Sequence, residues 1–216
     1  MTTQGFVVAI DGPTASGKGS IARRLGQIFS LKVLDTGLLY RAVGLAMLDK
    51  GLDPTDAAAA QSIASQINLN ALQDTRLRSG AAGTAASVVA AHPGVRQALL
   101  DSQRAFAAGP TGAILDGRDI GTVICPDAAV KLFVTASLAE RAERRWKELQ
   151  SRGEPITLAA VLTQIAERDA RDESRPIAPL RPAQHSILID TTGLSIDDSV
   201  AVARGHIEAA RRSPEQ

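Results

Sequence analysis

One stretch constrains the chain more than any other: Gly12-Pro13-Thr14-Ala15-Ser16-Gly17-Lys18-Gly19-Ser20. It follows the apolar run Phe6–Ile10 and opens a segment in which Ile21, Leu25, Ile28 and Phe29 recur at helical spacing. A strand, a glycine-rich loop and a helix in that order make an anion nest, because Gly12 and Gly17 let successive backbone N–H groups turn inward. The helix beginning near Lys18 adds its positive dipole end, and Lys18 can neutralise outer phosphates during transfer. The strict form of this loop places Ser or Thr directly after the lysine as a Mg²⁺ ligand; here Gly19 intervenes and Ser20 follows. All nine residues are candidates for holding the phosphates of ATP.

The rest of the chain supplies the scaffold such a loop requires. Five short apolar runs read as buried strands: Phe6–Ile10, Lys32–Leu34, Ala113–Leu115, Val130–Val134 and Ser186–Ile189. Four run directly into aspartates, Asp11, Asp35, Asp116 and Asp190. Apolar strands separated by helical stretches predict a parallel α/β sheet, with ligand beyond the carboxyl ends of the strands. Helical faces are expected through Leu138, Ala142, Trp146 and Leu149, through Leu158, Val161, Leu162 and Ile165, and from about Ile196 to Ala210. Residues 53–93 are rich in Ala, Gly and Ser with weak periodicity and read as an insertion between the second and third strands. Arg211–Gln216 reads as a frayed tail.

Composition closes off other classes. With 44% apolar residues and a net charge of +1, the chain is neither disordered nor a globally basic nucleic-acid binder. One cysteine, Cys125, excludes a disulfide scaffold. No segment reaches the roughly 18 apolar residues of a membrane span, and the N-terminus lacks the basic start of a signal peptide; a cytoplasmic protein without membrane or nucleic-acid partners is expected. Of the 24 basic residues, 19 are Arg and 5 are Lys, alongside 37 Ala. That ratio fits either codon bias or a demand for bidentate phosphate contacts.

Three further clusters speak to what receives the phosphate. Asp35-Thr36-Gly-Leu-Leu-Tyr40-Arg41 follows the second strand, with the Thr36 hydroxyl expected free at a turn. Asp116-Gly-Arg118-Asp119-Ile-Gly121 follows the third. Both would lie beside the phosphate loop if their strands flank the first. Asp116 suits a Mg²⁺ carboxylate, acting directly or through water, with a helix cap as the alternative. In Glu167–Arg175 a helix would place positions 168, 171, 172 and 175 on one face, three Arg around one Asp, unless the run is a solvated set of ion pairs. Pro176, Pro179 and Pro182 would end that helix.

Taken together, the phosphate loop with its G-K-G-[ST] ending, D-T-G-x-x-Y-R, D-G-R-D-I-G-T, E-R-D-x-R-D and R-P-I-A-P-L resemble the bacterial cytidylate kinases, colinearly over about residues 6–207. The resemblance implies a P-loop NTPase fold: one domain, a five-stranded parallel sheet flanked by helices, a monophosphate-binding insertion at about 53–95 and a lid at about 141–175. It implies transfer of phosphate from ATP to CMP or dCMP with Mg²⁺, and a monomer. It implies catalytic roles for Lys18, Arg118, Arg168 and Arg175, and metal ligation by Ser20 and Asp116. Around CMP it implies Thr36, Arg41, Ser87, Arg96, Arg118, Asp119, Arg168, Asp172 and Arg175. Arg141, Arg144 and Arg145 match the basic lid helix that closes on ATP, with Arg144 assigned to the ATP site. Two departures stand out: the stretch 80–91 around Ser87 is simpler than usual, and Glu173 replaces a common basic residue.

The physical reading agrees with these assignments. Phosphoryl transfer needs alignment and charge neutralisation, and an ionised phosphate acceptor needs no general base. Cytosine's N4 donor and N3 acceptor suit a carboxylate such as Asp119 with a hydroxyl and an Arg. Two competing readings are a UMP/CMP or other small-molecule kinase on the same fold, and a nucleotide-dependent switch. Asp11 is expected to anchor the phosphate-loop turn, and Tyr40 either to pack against the insertion or to contact base. His92, His185, His206 and Cys125 show no ligand or nucleophile pattern, and Trp146 reads as core.

Overall fold

The computed structural model describes residues 5–212. Its centre is a sheet of five parallel strands, β1 (Val7–Asp11), β2 (Lys32–Asp35), β3 (Ala113–Gly117), β4 (Val130–Thr135) and β5 (Ile187–Asp190), in the order β2-β3-β1-β4-β5. The strands match the predicted runs, each continuing into the residue or two that follow. Only β3 of the two expected neighbours flanks β1; β2 lies outside β3, and the other flank is β4. The register nevertheless sets Asp35 beside Asp116 and Asp11 beside Gly117, so the aspartates gather at one edge of the sheet.

Only β1 and β3 are buried along their whole length; the edge strands β2 and β5 are not, and Leu188 is exposed, which corrects the expectation of five buried strands, because an edge strand has a neighbour on one side only. Alternate residues feed two separate cores. Val7, Ala9, Leu34, Ala113 and Leu115 face α2 (Thr36–Asp49), α3 (Ala57–Ala64) and α5 (Pro93–Ala107). Val8, Ile10, Ile114, Leu132, Val134 and Ile189 face α1 (Lys18–Phe29) and α8 (Ile196–Arg212). Adjacent residues thus feed opposite layers, which is why near-continuous apolar runs were needed.

Between β2 and β3 the Ala- and Gly-rich stretch folds into α3, two short 3₁₀ turns and α4 (Gly80–Val89). Its weak periodicity has a physical cause. A Cβ on Gly44 of α2 would sit 2.8 Å from the Ala85 Cβ of α4, so the two helices touch backbone to backbone through small residues. On the other side of the sheet's carboxyl edge, α6 (Leu138–Gln150) and α7 (Leu158–Ser174) close a third apolar cluster of Ala142, Leu149, Val161 and Ile165. Trp146 joins that cluster half-buried rather than the sheet core, donating its indole N–H to the Ile156 carbonyl at 3.0 Å.

Three expectations about faces need correction. Ile28, Leu158 and Leu162 are exposed: each lies at the margin of its helical stripe, and one neighbouring layer cannot cover the whole arc. Arg211 does not fray. It lies in the last turn of α8, where its guanidinium stacks over Phe29 at 4.6 Å and Phe6 at 4.9 Å from the ring centres; residues 213–216 of the expected tail, like residues 1–4, lie outside the described residues.

Candidate active site

The glycine-rich loop leaves β1 and enters α1 at the sheet's carboxyl edge. Gly12 runs at φ +152°, and a Cβ there would lie 2.0 Å from the Val134 carbonyl oxygen, so no side chain fits. Gly17 holds the helix N-cap at φ +89°, a left-handed conformation that glycine adopts without strain. Gly19 explains the departure from the strict motif: a Cβ at this position would come within 3.0 Å of Asp116 Oδ2. The extra glycine lets that carboxylate press against the start of α1.

A cleft of about 840 Å³ opens above this loop. It is lined by Thr14, Ala15, Gly17, Lys18, Gly19 and Ser20 of the loop and by Asp35, Arg41, Asp116, Arg118, Arg144, Arg145 and Arg168 around it. Lys18 Nζ donates to the Pro13 carbonyl at 3.3 Å and stands 3.8 Å from Asp116 Oδ1. Burial, with the Arg118 charge second, pushes the Lys18 ammonium down to about 8. Burial pushes the Asp116 carboxyl up, against the pull of Lys18. Asp116 Oδ1 is buried and accepts no hydrogen bond. Together with Ser20 Oγ it offers the hard oxygen donors that suit Mg²⁺, a cation that takes one or two protein ligands and completes its shell with phosphate and water. No group of three or more His, Cys, Asp or Glu residues is poised for a metal among the described residues.

Thr36, Ser87, Arg96, Asp119, Asp172 and Arg175 are buried and do not line that cleft. They form a connected layer with its arginines. Asp172 is the hub: Arg118 Nε donates to Asp172 Oδ2 at 2.9 Å, Arg168 Nε stands 4.0 Å from the same oxygen, and Arg175 Nη2 lies 3.8 Å from Oδ1. Burial would raise this carboxyl, but the three guanidiniums outweigh it and hold it below the usual range. The expected trio thus differs by one member. Arg171 turns away and donates to Ser87 Oγ at 3.3 Å, and its place at Asp172 is taken by Arg118 from the end of β3. Arg168 Nε and Arg175 Nη2 are buried without any hydrogen-bond partner, and burial followed by the Arg118 charge lowers the Arg168 guanidinium. Unmatched buried donors of this kind could hold an anion.

Other predicted residues fall into place around this hub. Arg96 pairs with Asp119, and its guanidinium lies over the Tyr40 ring at 5.5 Å, so Tyr40 is a buried support beneath that pair. Arg41 donates to the carbonyls of Leu77 at 2.8 Å and Ser79 at 3.2 Å, tying α2 to the entry of α4. Thr36 is corrected: its hydroxyl is not free but donates to the Asp116 carbonyl at 2.8 Å, because the first turn of α2 lies against β3. Asp11 is corrected as well. Its carboxylate accepts from the amides of Ile120 and Gly121 in the loop after β3, not from the phosphate-loop turn. Cys125 is half-buried with its thiol pushed up to about 11 by burial, an unreactive state.

The three arginines of α6 separate. Arg141 is buried and engaged with the Ala136 carbonyl, the Thr14 carbonyl and, at 2.5 Å, Asp169 Oδ2. Arg144 and Arg145 reach the cleft, and Arg144 Nη1 lies 3.7 Å from the Cβ position of Gly17.

The family profile for cytidylate kinase matches residues 8–208. The chain belongs to the cytidylate kinase family. A cytidylate kinase of Rhodopseudomonas palustris is 53% identical over 95% of this chain and 97% of its own length. One from a Methylobacterium species is 62% identical over 82% of this chain and 85% of its own, and one from Caulobacter vibrioides is 51% identical over 96% and 97%. Among solved structures, an uncharacterized protein from Eubacterium ventriosum shares the fold, with a TM-score of 0.56 over 94% of this chain and 99% of that one at 13% identity.

Within this cytidylate kinase fold, sequence reasoning overlooked Thr191. Its buried hydroxyl, with one proton to donate, lies 3.0 Å from both the Ser16 and Thr135 carbonyl oxygens and accepts from Arg144 at 2.9 Å. It therefore fastens the phosphate loop, the end of β4 and Arg144 to one another. The only signal was its position just after the fourth strand-ending aspartate, Asp190.

Proposed function

We propose that this chain transfers the γ-phosphoryl group of ATP to CMP or dCMP, giving ADP and the corresponding diphosphate. The observation that carries the reading is a second anion site directly behind the first: Arg118 and Arg168 line the cleft above the phosphate loop and also pair with buried Asp172. One is the backbone cradle of residues 12–20 with Lys18. The other is the Asp172 cluster, whose Arg168 and Arg175 hold buried, unpartnered donors. A site built only to bind one nucleotide has no need of the second.

In this reading residues 12–20 and Arg144 hold ATP, with Ser20 and Asp116 as the side chains that would hold Mg²⁺. When bound, the cation neutralises phosphate charge and orients the transferred group. Lys18, Arg118, Arg168 and Arg175 cancel the repulsion between donor and acceptor phosphates. Arg41 and Arg118 hold the acceptor phosphate, and Thr36, Asp172 and Arg175 border the sugar. The Arg96–Asp119 pair and Ser87 face cytosine: Asp119 accepts from the N4 amino group and an arginine donates toward N3. The 53–95 insertion is the monophosphate-binding segment and brings Ser87 to the acceptor half, and the 141–175 hairpin is the lid that keeps water from ATP. A monomer in the cytoplasm fits this small-molecule chemistry; no helix among the described residues is long and apolar enough to cross a membrane.

The direct test is product balance. With ATP, Mg²⁺ and CMP, CDP and ADP should form in equal amounts, and omitting CMP or chelating the metal should stop ADP release. ADP release that ignores CMP would overturn the reading.

A further inference from the structure

One buried carboxylate has no part in the chemistry described so far. Asp11 closes β1, is nearly inaccessible to solvent, and does not line the cleft. Each of its oxygens accepts one backbone hydrogen bond at 2.8 Å, Oδ1 from Ile120 and Oδ2 from Gly121. These two amides begin the wide turn Ile120–Ile124, and the first amides of a helical turn have no partner within it. Asp11 supplies that partner from a residue more than a hundred positions earlier. Burial pushes its carboxyl up to about 6 even with both amide bonds in place, so the group is kept at an energetic cost.

What Asp11 holds is the backbone immediately after Arg118 and Asp119. Arg118 reaches the Asp172 hub, and Asp119 pairs with Arg96 over the Tyr40 ring. The packing leaves little slack: a Cβ on Gly121 would meet Ala183 Cβ at 3.1 Å and Asp11 Oδ2 at 3.4 Å. Asp11 is also the residue directly before Gly12, so its main chain starts the donor loop while its side chain grips the acceptor loop.

We propose that Asp11 is a positioning residue for the acceptor nucleotide, setting Arg118 and Asp119 in register with the phosphate loop through the Ile120 and Gly121 amides. The inference rests on the CMP kinase reading above. It implies that Asp11 governs acceptor affinity and base discrimination while leaving ATP affinity nearly untouched.

Asp11→Asn keeps the shape but turns one oxygen into a donor facing an N–H; Asp11→Ala removes both acceptors. Small misplacements of binding groups have large kinetic effects, so Asp11→Asn should raise KM for CMP about tenfold, with KM for ATP within about twofold. The CMP-over-UMP preference in kcat/KM should fall about fivefold, and Asp11→Ala should be worse on both counts. An equal rise in both KM values, or a lower melting temperature with wild-type kinetics and preference, would reduce Asp11 to a structural residue and overturn the proposal. Wild-type protein in the same assay separates the two readings. Absent CMP turnover there sinks the kinase reading and the inference with it; normal wild-type preference retained in Asp11→Asn sinks the inference alone. A measurement on the unmutated chain stands even if a variant fails to fold. Amide exchange at Ile120 and Gly121 should be slow, and exchange as fast as in an open loop would show that no clamp exists.

Discussion

The two halves of the cleft are built from different materials. In the proposed reading the donor half is nine consecutive residues that bind mainly through their main chain, shaped by Gly12 and Gly17 and fastened by Thr191 and Arg141. The proposed acceptor half is gathered from α2, α4, α5, the loop after β3 and α7, with side chains arranged around Asp172 and the Arg96–Asp119 pair. A cradle of N–H groups accepts any polyphosphate and tolerates change at most of its side chains. A network of paired charges can discriminate, but each member is held by its neighbours, so a single loss propagates.

This contrast can be broken at several points. Lys18 is the donor-side cation proposed to neutralise the transferring phosphate, so Lys18→Met should lower kcat by on the order of 10³-fold with an unchanged circular dichroism spectrum. Near-normal turnover in that variant would remove the lysine from the chemistry. Arg118→Ala should cost on the order of 10²-fold in kcat/KM for CMP, because it removes a phosphate contact and also leaves Asp172 with two partners instead of three. Wild-type kinetics would take Arg118 out of the acceptor half.

The pH profile sharpens the comparison further. An ammonium lowered to about 8 loses its proton as pH rises through that value, so kcat/KM for ATP should decline above about pH 8, by about tenfold per unit at the limit. Burial also lowers the acceptor-side Arg168 to about 9 and Arg41 to about 10, so the limb that begins near pH 8 belongs to Lys18 and any steeper loss above it to the acceptor arginines. Lys18→Arg, if it retains measurable turnover, should lose that limb; an unshifted limb would assign it elsewhere. Arg144→Ala should raise KM for ATP about tenfold and leave KM for CMP alone, as expected for one charge-assisted contact. Arg211→Ala lies outside both halves and should cost only about 0.5–1 kcal/mol of stability, with unchanged kinetics.

The same contrast explains what could be read in advance. The donor loop was legible because its chemistry is local: strand, glycines, lysine and helix are adjacent in the chain. The inner strands β1 and β3 were legible because burial on both faces demands continuous apolar runs. The sheet order was not, since nothing in Lys32–Leu34 says whether β2 lies beside β1 or beyond β3. In the acceptor half the helix period grouped Arg168, Asp172 and Arg175, as the structure does. It also enrolled Arg171, because spacing alone cannot tell that a strand-end arginine 54 positions away fills that place. Thr36, Asp11 and Thr191 share one cause. Their polar atoms serve main-chain groups brought near only by folding, and backbone partners leave no mark in composition or motif.

The central claim is that the acceptor half selects cytidine nucleotides. The most direct measurement is kcat/KM at fixed ATP and Mg²⁺ for CMP, dCMP, UMP, AMP and GMP. CMP and dCMP should stand well above UMP, with AMP and GMP at background. Equal use of UMP, or a preference for a purine monophosphate, would contradict the assignment of Arg96, Asp119 and Ser87 to cytosine and the function built on it.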